Sequence, residues 1–170
     1  VRTGFEARGF EARWRAVLGE YPTGVAIISA LGTDGRPHGL VVGTFSSVSM
    51  NPPLVSFMAM RGSRAYRASA GCDRFRVSVL GSRHEQLCRS FASADPERRF
   101  EVGRWRLDAD GIPGLEDAVL WVRCRRLRTI AAGDHDIVLG EVEDLGSGPG
   151  GTPMLFHRGR YGSVVASVVA

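Results

Sequence analysis

Lysine is absent from this chain: all 22 of its basic residues are arginine, against 18 acids, for a formal charge of +4. No side chain can therefore form a Schiff base with a carbonyl or with pyridoxal phosphate, and no Walker-type phosphate lysine exists. Any bound anion must be met by guanidinium forks, hydroxyls or backbone N–H groups. Cysteine is scarce. Cys72, Cys88 and Cys124 are odd in number and far apart, with no CxxC, so neither a disulfide framework nor a structural zinc is indicated and three reduced thiols are expected. Nowhere in the 170 residues does an apolar run reach the length of a membrane-spanning helix. The opening VRTGFEARGF is charged throughout and has no apolar core of a signal peptide, which makes the cytoplasm the expected compartment.

What is present reads as one domain over residues 1–170, ordinary in composition and rich in glycine, with 22 of them. Mild basicity raises the question of nucleic acid. The arginines are scattered, though, and the densest clusters (Arg123, Arg125, Arg126 and Arg128; Arg104 and Arg106) fall in strand-like segments without a recognisable nucleic-acid motif. Small anionic ligands suit this charge better than nucleic acid does.

Phe10, Trp14, Val17 and Leu18 recur at helical spacing, predicting an amphipathic first helix that ends at Tyr21-Pro22-Thr23-Gly24. Strands follow at Val25–Leu31, His38–Val48, Leu54–Met60 and Phe75–Leu80. Ser63 is placed to cap a short helix, and Ser82–Phe91 reads as another. Asp95–Asp117 reads as an irregular surface excursion. Two longer strands, Ala118–Ile130 and Ile137–Leu145, are joined by the turn Ala132-Gly133-Asp134, and Met154–His157 is the last strand. Many short strands and few helices predict a mainly β, antiparallel barrel or sandwich.

Gly146, Gly148 and Gly151 spell G-x-G-x-x-G. A dinucleotide fingerprint needs a helix directly behind it, and here Pro149 interrupts the motif while Thr152-Pro153 leads into a strand. A flexible loop is expected. Hydroxyls crowd Gly43–Ser49, either as strand-end groups satisfying backbone or as a polar shelf for a planar ligand. Arg61-Gly62-Ser63-Arg64 combines N–H groups, a hydroxyl and guanidinium forks, the chemistry of a phosphate seat. His135 stands between Asp134 and Asp136 with no convincing second metal ligand, so no metal site is expected.

In order along the chain, Tyr21-Pro22-Thr23-Gly24-Val25, Gly35-Arg36-Pro37-His38-Gly39, Thr44-Phe45-Ser46-Ser47-Val48-Ser49, Asn51-Pro52-Pro53-Leu54-Val55 and Phe75–Leu80 resemble the flavin reductases of the FMN-binding split barrel. Gly133-Asp134-His135, Leu139-Gly140-Glu141-Val142 and Phe156-His157-Arg158-Gly159-Arg160-Tyr161 continue the resemblance. It implies a split β-barrel and an NAD(P)H:flavin oxidoreductase in which hydride passes from nicotinamide C4 to the N5 atom of FMN or FAD. NADH is the expected donor and NADPH a possible one. It also implies a homodimer that supplies reduced flavin to a partner monooxygenase. Carried over residue by residue, Gly43, Thr44, Phe45, Ser46, Ser47, Ser49 and Met50 correspond to the flavin wall. Ser63, Arg64, Ala65 and Tyr66 correspond to the phosphate end, and Arg98, Arg99 and Phe100 to a closing segment. His135 corresponds to the histidine beside nicotinamide, and Phe156, His157, Arg158 and Gly159 to the nicotinamide-nucleotide strand and turn. Many relatives carry a more polar stretch at Leu40-Val41-Val42 and a side chain at Gly43, so flavin contacts there must come from backbone groups. Two other readings stay open: a split-barrel oxidase that retains FMN, and a non-catalytic flavin- or nucleic-acid-binding module.

Overall fold

The apolar run Val25–Leu31 has no polar alternation because both of its faces are covered. In a computed structural model that describes residues 4–165, it forms β2 (Ala26–Leu31) after helix α1 (Gly4–Leu18) and a short β1 (Thr23–Gly24). Ile28 points into one buried cluster with Leu40, Val55, Phe57, Phe75, Val77 and Val138, and Ile27 into a second with Leu80, Cys88, Phe91, Leu115 and Met154. Successive strand residues face opposite sides, so one short segment serves two cores.

Strands β3 (Pro37–Val42), β4 (Ser46–Met50), β5 (Pro53–Met60), β6 (Arg74–Val79), β9 (Leu120–Ala132) and β10 (His135–Ser147) join β2 in an antiparallel seven-stranded sheet ordered β3-β2-β6-β9-β10-β5-β4. Its ladder does not close: β3 and β4 are the two edges, and only Gly43–Phe45 connects them. The architecture is the mainly β, antiparallel split barrel expected. Helix α2 (Arg64–Ser69) follows β5, and α3 (Glu85–Ser93) follows a 3-10 turn at Ser82–His84. The long β9–β10 hairpin turns at Gly133, whose φ of 65° explains the glycine.

Four expectations are corrected. His38–Val48 is two strands, because the chain leaves the ladder at Gly43 and Thr44 takes over: its Oγ1 accepts from Met58 N–H at 2.8 Å and donates to Met58 C=O at 3.1 Å. That hydroxyl replaces one backbone rung. Asp95–Asp117 is an ordered segment with a 3-10 turn at Pro96–Glu101 and a hairpin of β7 (Trp105–Leu107) and β8 (Pro113–Leu115). Ile112 and Leu115 are buried there, and Ser29 Oγ donates to the carbonyl of Pro113. Met154–His157 (β11) is followed by a further strand, β12 (Arg160–Ser163), in a separate sheet ordered β1-β11-β12. The glycine-rich loop is closely packed: Gly148 N–H donates to Val119 C=O at 2.8 Å and Gly150 N–H to Ala118 C=O at 3.1 Å.

All three cysteines are free and buried. Burial pushes the Cys72 and Cys88 thiols up, and Cys124 up to about 12. A raised pKa keeps the unreactive thiol form at pH 8. The native protein is therefore expected to resist a thiol reagent at pH 8 that labels three groups in denaturant; rapid native labelling would contradict the burial. Among the described residues no helix is long and apolar enough to cross a membrane, and no cluster of His, Cys, Asp and Glu suits a metal ion.

Candidate functional site

A cleft of about 410 Å³ opens between the edge strand β3 and the end of β5 that lies beyond its pairing with β4. One wall is the end of β3 and the chain leaving it, Leu40 to Thr44; the other is the end of β5, Met58 to Met60. Ser63, Ala92, Arg99 and His135 complete the lining. This size is within the usual range for a cofactor site, about 300–1,000 Å³.

The walls are mostly apolar and the polar groups sit around them, which suits a flat ligand with a charged end. Glycine at 43 follows from packing: a Cβ there would lie 2.7 Å from Thr23 Oγ1. A side chain at this position would require Thr23 to shift, and with glycine there the wall offers backbone. Ser63 caps α2, its Oγ accepting from Tyr66 N–H at 3.3 Å. At the other end of α2, Arg126 donates to Ser69 C=O (3.0 Å) and Cys72 C=O (2.8 Å), a cation matched to the helix C-terminus.

Arg99 reaches the cleft from the 3-10 turn at Pro96–Glu101. Its Nη1 donates to Gly39 C=O at 2.7 Å, while its Nε is buried without a hydrogen-bond partner among the described residues. Burial first, and the Arg64 cation second, pull its guanidinium below the usual arginine range, although arginine stays charged at neutral pH. An incompletely solvated cation at a cleft edge is a site for an anion. Arg64 is largely exposed, 3.9 Å from Asp95.

His135 opens β10 opposite Met60 and lies 2.7 Å from Asp134 Oδ1 through Nδ1. The histidine's hydrogen bond, then its charge, lowers the Asp134 carboxyl, which stays ionised beside the ring. The ionised carboxylate accepts from Nδ1–H and holds the ring's orientation.

Of the residues carried over from the resemblance, Gly43, Thr44, Ser63, Arg99 and His135 come together in this cleft. Phe45 packs against the first core cluster, and Ser46, Ser47, Ser49 and Met50 lie along the edge strand β4, where Met50 is 92% exposed. Ala65 and Tyr66 are buried. Arg98 pairs with Glu101, and Phe100 stacks edge-on against Phe91 and Trp105. Phe156 borders a small hollow that Gly43 also lines, shared with Thr23, Val25 and Tyr161. His157 and Arg158 border a groove of about 590 Å³ with Pro22, Arg160 and Tyr161. Gly159 follows in the tight turn where Arg158, at φ 48°, pairs with Glu20. Leu40–Val42, read from the sequence as a stretch offering backbone contacts, do line the cleft, whereas Met58–Met60 and Ala92 were missed as walls. Met58 and Met60 alternate with buried Phe57 and Ala59, an apolar pattern on both faces that marks a strand with a second surface to cover.

A flavin reductase from Pseudomonas putida is 40% identical over 166 residues, 98% of this chain and 95% of that protein. The crystal structure of a nitrilotriacetate monooxygenase component B homologue from Mycobacterium thermoresistibile superposes with a TM-score of 0.87 at 30% identity, covering 94% of this chain and 89% of that one. The NADH:FAD oxidoreductase SgcE6 of Streptomyces globisporus C-1027, solved with NAD and FAD fragments, gives a TM-score of 0.84 at 32% identity, covering 94% and 95%. The flavin reductase like domain family matches residues 18–164, and the chain belongs to that family: it is an NAD(P)H-dependent flavin reductase.

Proposed function

We propose that the cleft at Gly43 holds the flavin, FMN or FAD, and that the reduced flavin leaves for a separate monooxygenase component. One observation carries this reading: half-buried Arg99, whose Nε has no hydrogen-bond partner among the described residues, and His135 line the same cleft between β3 and β5. Bound flavin would supply the redox chemistry, taking a hydride equivalent from reduced nicotinamide. The chain's own contribution is placement. The apolar ends of β3 and β5 seat the rings and exclude water, and the backbone from Gly43 to Thr44 faces their polar edge. Arg99, with Ser63 and Arg64, neutralises the phosphate. Flat stacking at near-attack distance needs orientation more than a strong acid or base.

His135 orients the nicotinamide, its ring held by Asp134. Phe156, beside Gly43, and the turn His157-Arg158-Gly159 extend the seat for the rest of NAD(P)H. Replacing His135 with Ala is expected to raise KM for NADH about tenfold, with a smaller change in KM for flavin; the reverse ordering would remove this role. The whole reading is tested by NADH and NADPH consumption with FMN, FAD and riboflavin added separately. Turnover that depends on free flavin supports it. Flavin held through purification with no turnover of added flavin would favour an oxidase that keeps its cofactor, and salt-sensitive nucleic-acid binding without NADH oxidation a binding module.

The reductase acts as a homodimer in the cytoplasm. Trp14, Val17 and Leu18 of α1 are each more than half exposed, an apolar stripe suited to a second copy. Three free cysteines suit a reducing compartment. Twice the mass of one chain is expected by light scattering, and a monomer would refute the shared interface.

A further inference from the structure

We infer that Asp136 is a positioning residue, tying the strand end that carries His135 to the turn and helix that carry Ser63, and so holding the two ends of the cleft at one separation. The inference rests on the role of His135 given above and extends it to a residue that does not line the cleft.

The geometry follows from strand alternation. His135 and Asp136 are consecutive in β10, so with His135 in the cleft lining, Asp136 is on the opposite side of the strand. There Tyr66 Oη donates to Asp136 Oδ2 at 3.0 Å, and Arg61 Nε lies 3.3 Å from Oδ1. One backbone bond joins the same two segments, Arg61 N–H to Asp134 C=O at 3.0 Å. Tyr66 cannot swing away, being 2% exposed and packed in the first core cluster. Its own N–H is the donor to Ser63 Oγ. A continuous chain of contacts thus runs His135–Asp136–Tyr66–Ser63, from the nicotinamide end to the phosphate end. In the ladder, His135 and Asp136 stand opposite Met60 and Ala59, two residues of the cleft wall.

The Asp136 side chain is only 16% exposed, whereas that of Arg61 is 55% exposed. The tyrosine link is therefore the better shielded of the two, and the arginine link is weakened by solvent. Loosening the carboxylate frees the end of β10 and the turn after β5 to shift separately. For two ligands that must stack, a displacement of about 1 Å can cost up to roughly a hundredfold in rate.

The test is a double-mutant cycle on Asp136→Ala and His135→Ala, read as KM for NADH, KM for FMN and kcat. Asp136→Ala is expected to raise KM for NADH about fivefold in the native background and less than about twofold once His135 is Ala, because the two act as one unit. Asp136→Asn keeps an acceptor for Tyr66 and is expected to recover most of the loss. A residue serving only stability would give the same loss in both backgrounds, and that additivity would overturn the inference, as would an Asp136→Ala enzyme with native KM values. Should Asp136→Ala fail to fold, Tyr66→Phe, which keeps the ring volume, carries the same cycle. If His135→Ala alone leaves KM for NADH unchanged, the role of His135 falls, and the inference falls with it.

Discussion

Replacing Arg99 with Ala is expected to raise KM for FMN about thirtyfold, the equivalent of roughly 2 kcal/mol for a lost charge-assisted contact. Riboflavin supplies the control, since it has the same ring system and no phosphate. Its KM is expected to change by less than about threefold, because what remains is apolar stacking and backbone contact. The contrast matters because Arg99 has structural duties too. It donates to Gly39 C=O, and its guanidinium sits 5.8 Å from the centre of the Phe91 ring. Equal losses for FMN and riboflavin would mean that Arg99 acts by bracing β3, and the phosphate assignment would fail. Arg99→Lys keeps the charge without the planar fork and should recover only part of the FMN affinity.

The second large effect is on stability. Gly150→Ala is expected to cost about 3 kcal/mol, the upper end for overpacking, and to lower Tm by roughly 6–12 °C for a chain of this size. A Cβ at Gly150 would lie 2.3 Å from Val119 N and 2.5 Å from Ala118 C, which are backbone atoms that cannot rotate aside. The loop would have to lift from the start of β9, straining the bonds from Gly148 and Gly150 N–H. Gly81 opposes it from the other side, with a Cβ position 2.1 Å from Gly150 O. Gly71→Ala is the reference substitution, since nothing lies within 4 Å of its Cβ position. If both variants melt within about 2 °C of the native protein, the loop is not held as described.

That loop shows where reading the sequence stopped short. Composition and the residues after it rightly excluded a dinucleotide fingerprint, because Pro149 and the following strand leave no helix to face a phosphate. The reason for so much glycine is a close approach to Ala118 and Val119, which are about thirty positions earlier in the chain. No local pattern carries that. Thr44 is a similar case: its hydroxyl was legible as a strand-end group, but its partner, Met58, is decided by how two strands meet.

The sequence by itself determined the elements with strong local signals. The alternation of Phe75–Leu80, the turn at Gly133, the capping Ser63 and the absence of lysine each follow from residue chemistry, and the ordered set of short segments named the family. Tertiary structure decided which candidates share a cleft. Gly43, Ser63, Arg99 and His135 come from four separate segments, and their meeting depends on an open ladder in which the β2–β3 and β4–β5 hairpins are joined through non-local pairing of β2 with β6, β6 with β9 and β10 with β5. It also placed Met50 and the serines of β4 on an exposed edge, and turned Asp136, one residue from His135, toward Tyr66. Strand alternation puts neighbours in the chain on opposite faces, so adjacency in sequence could not reveal which of them meets the ligand and which holds the frame.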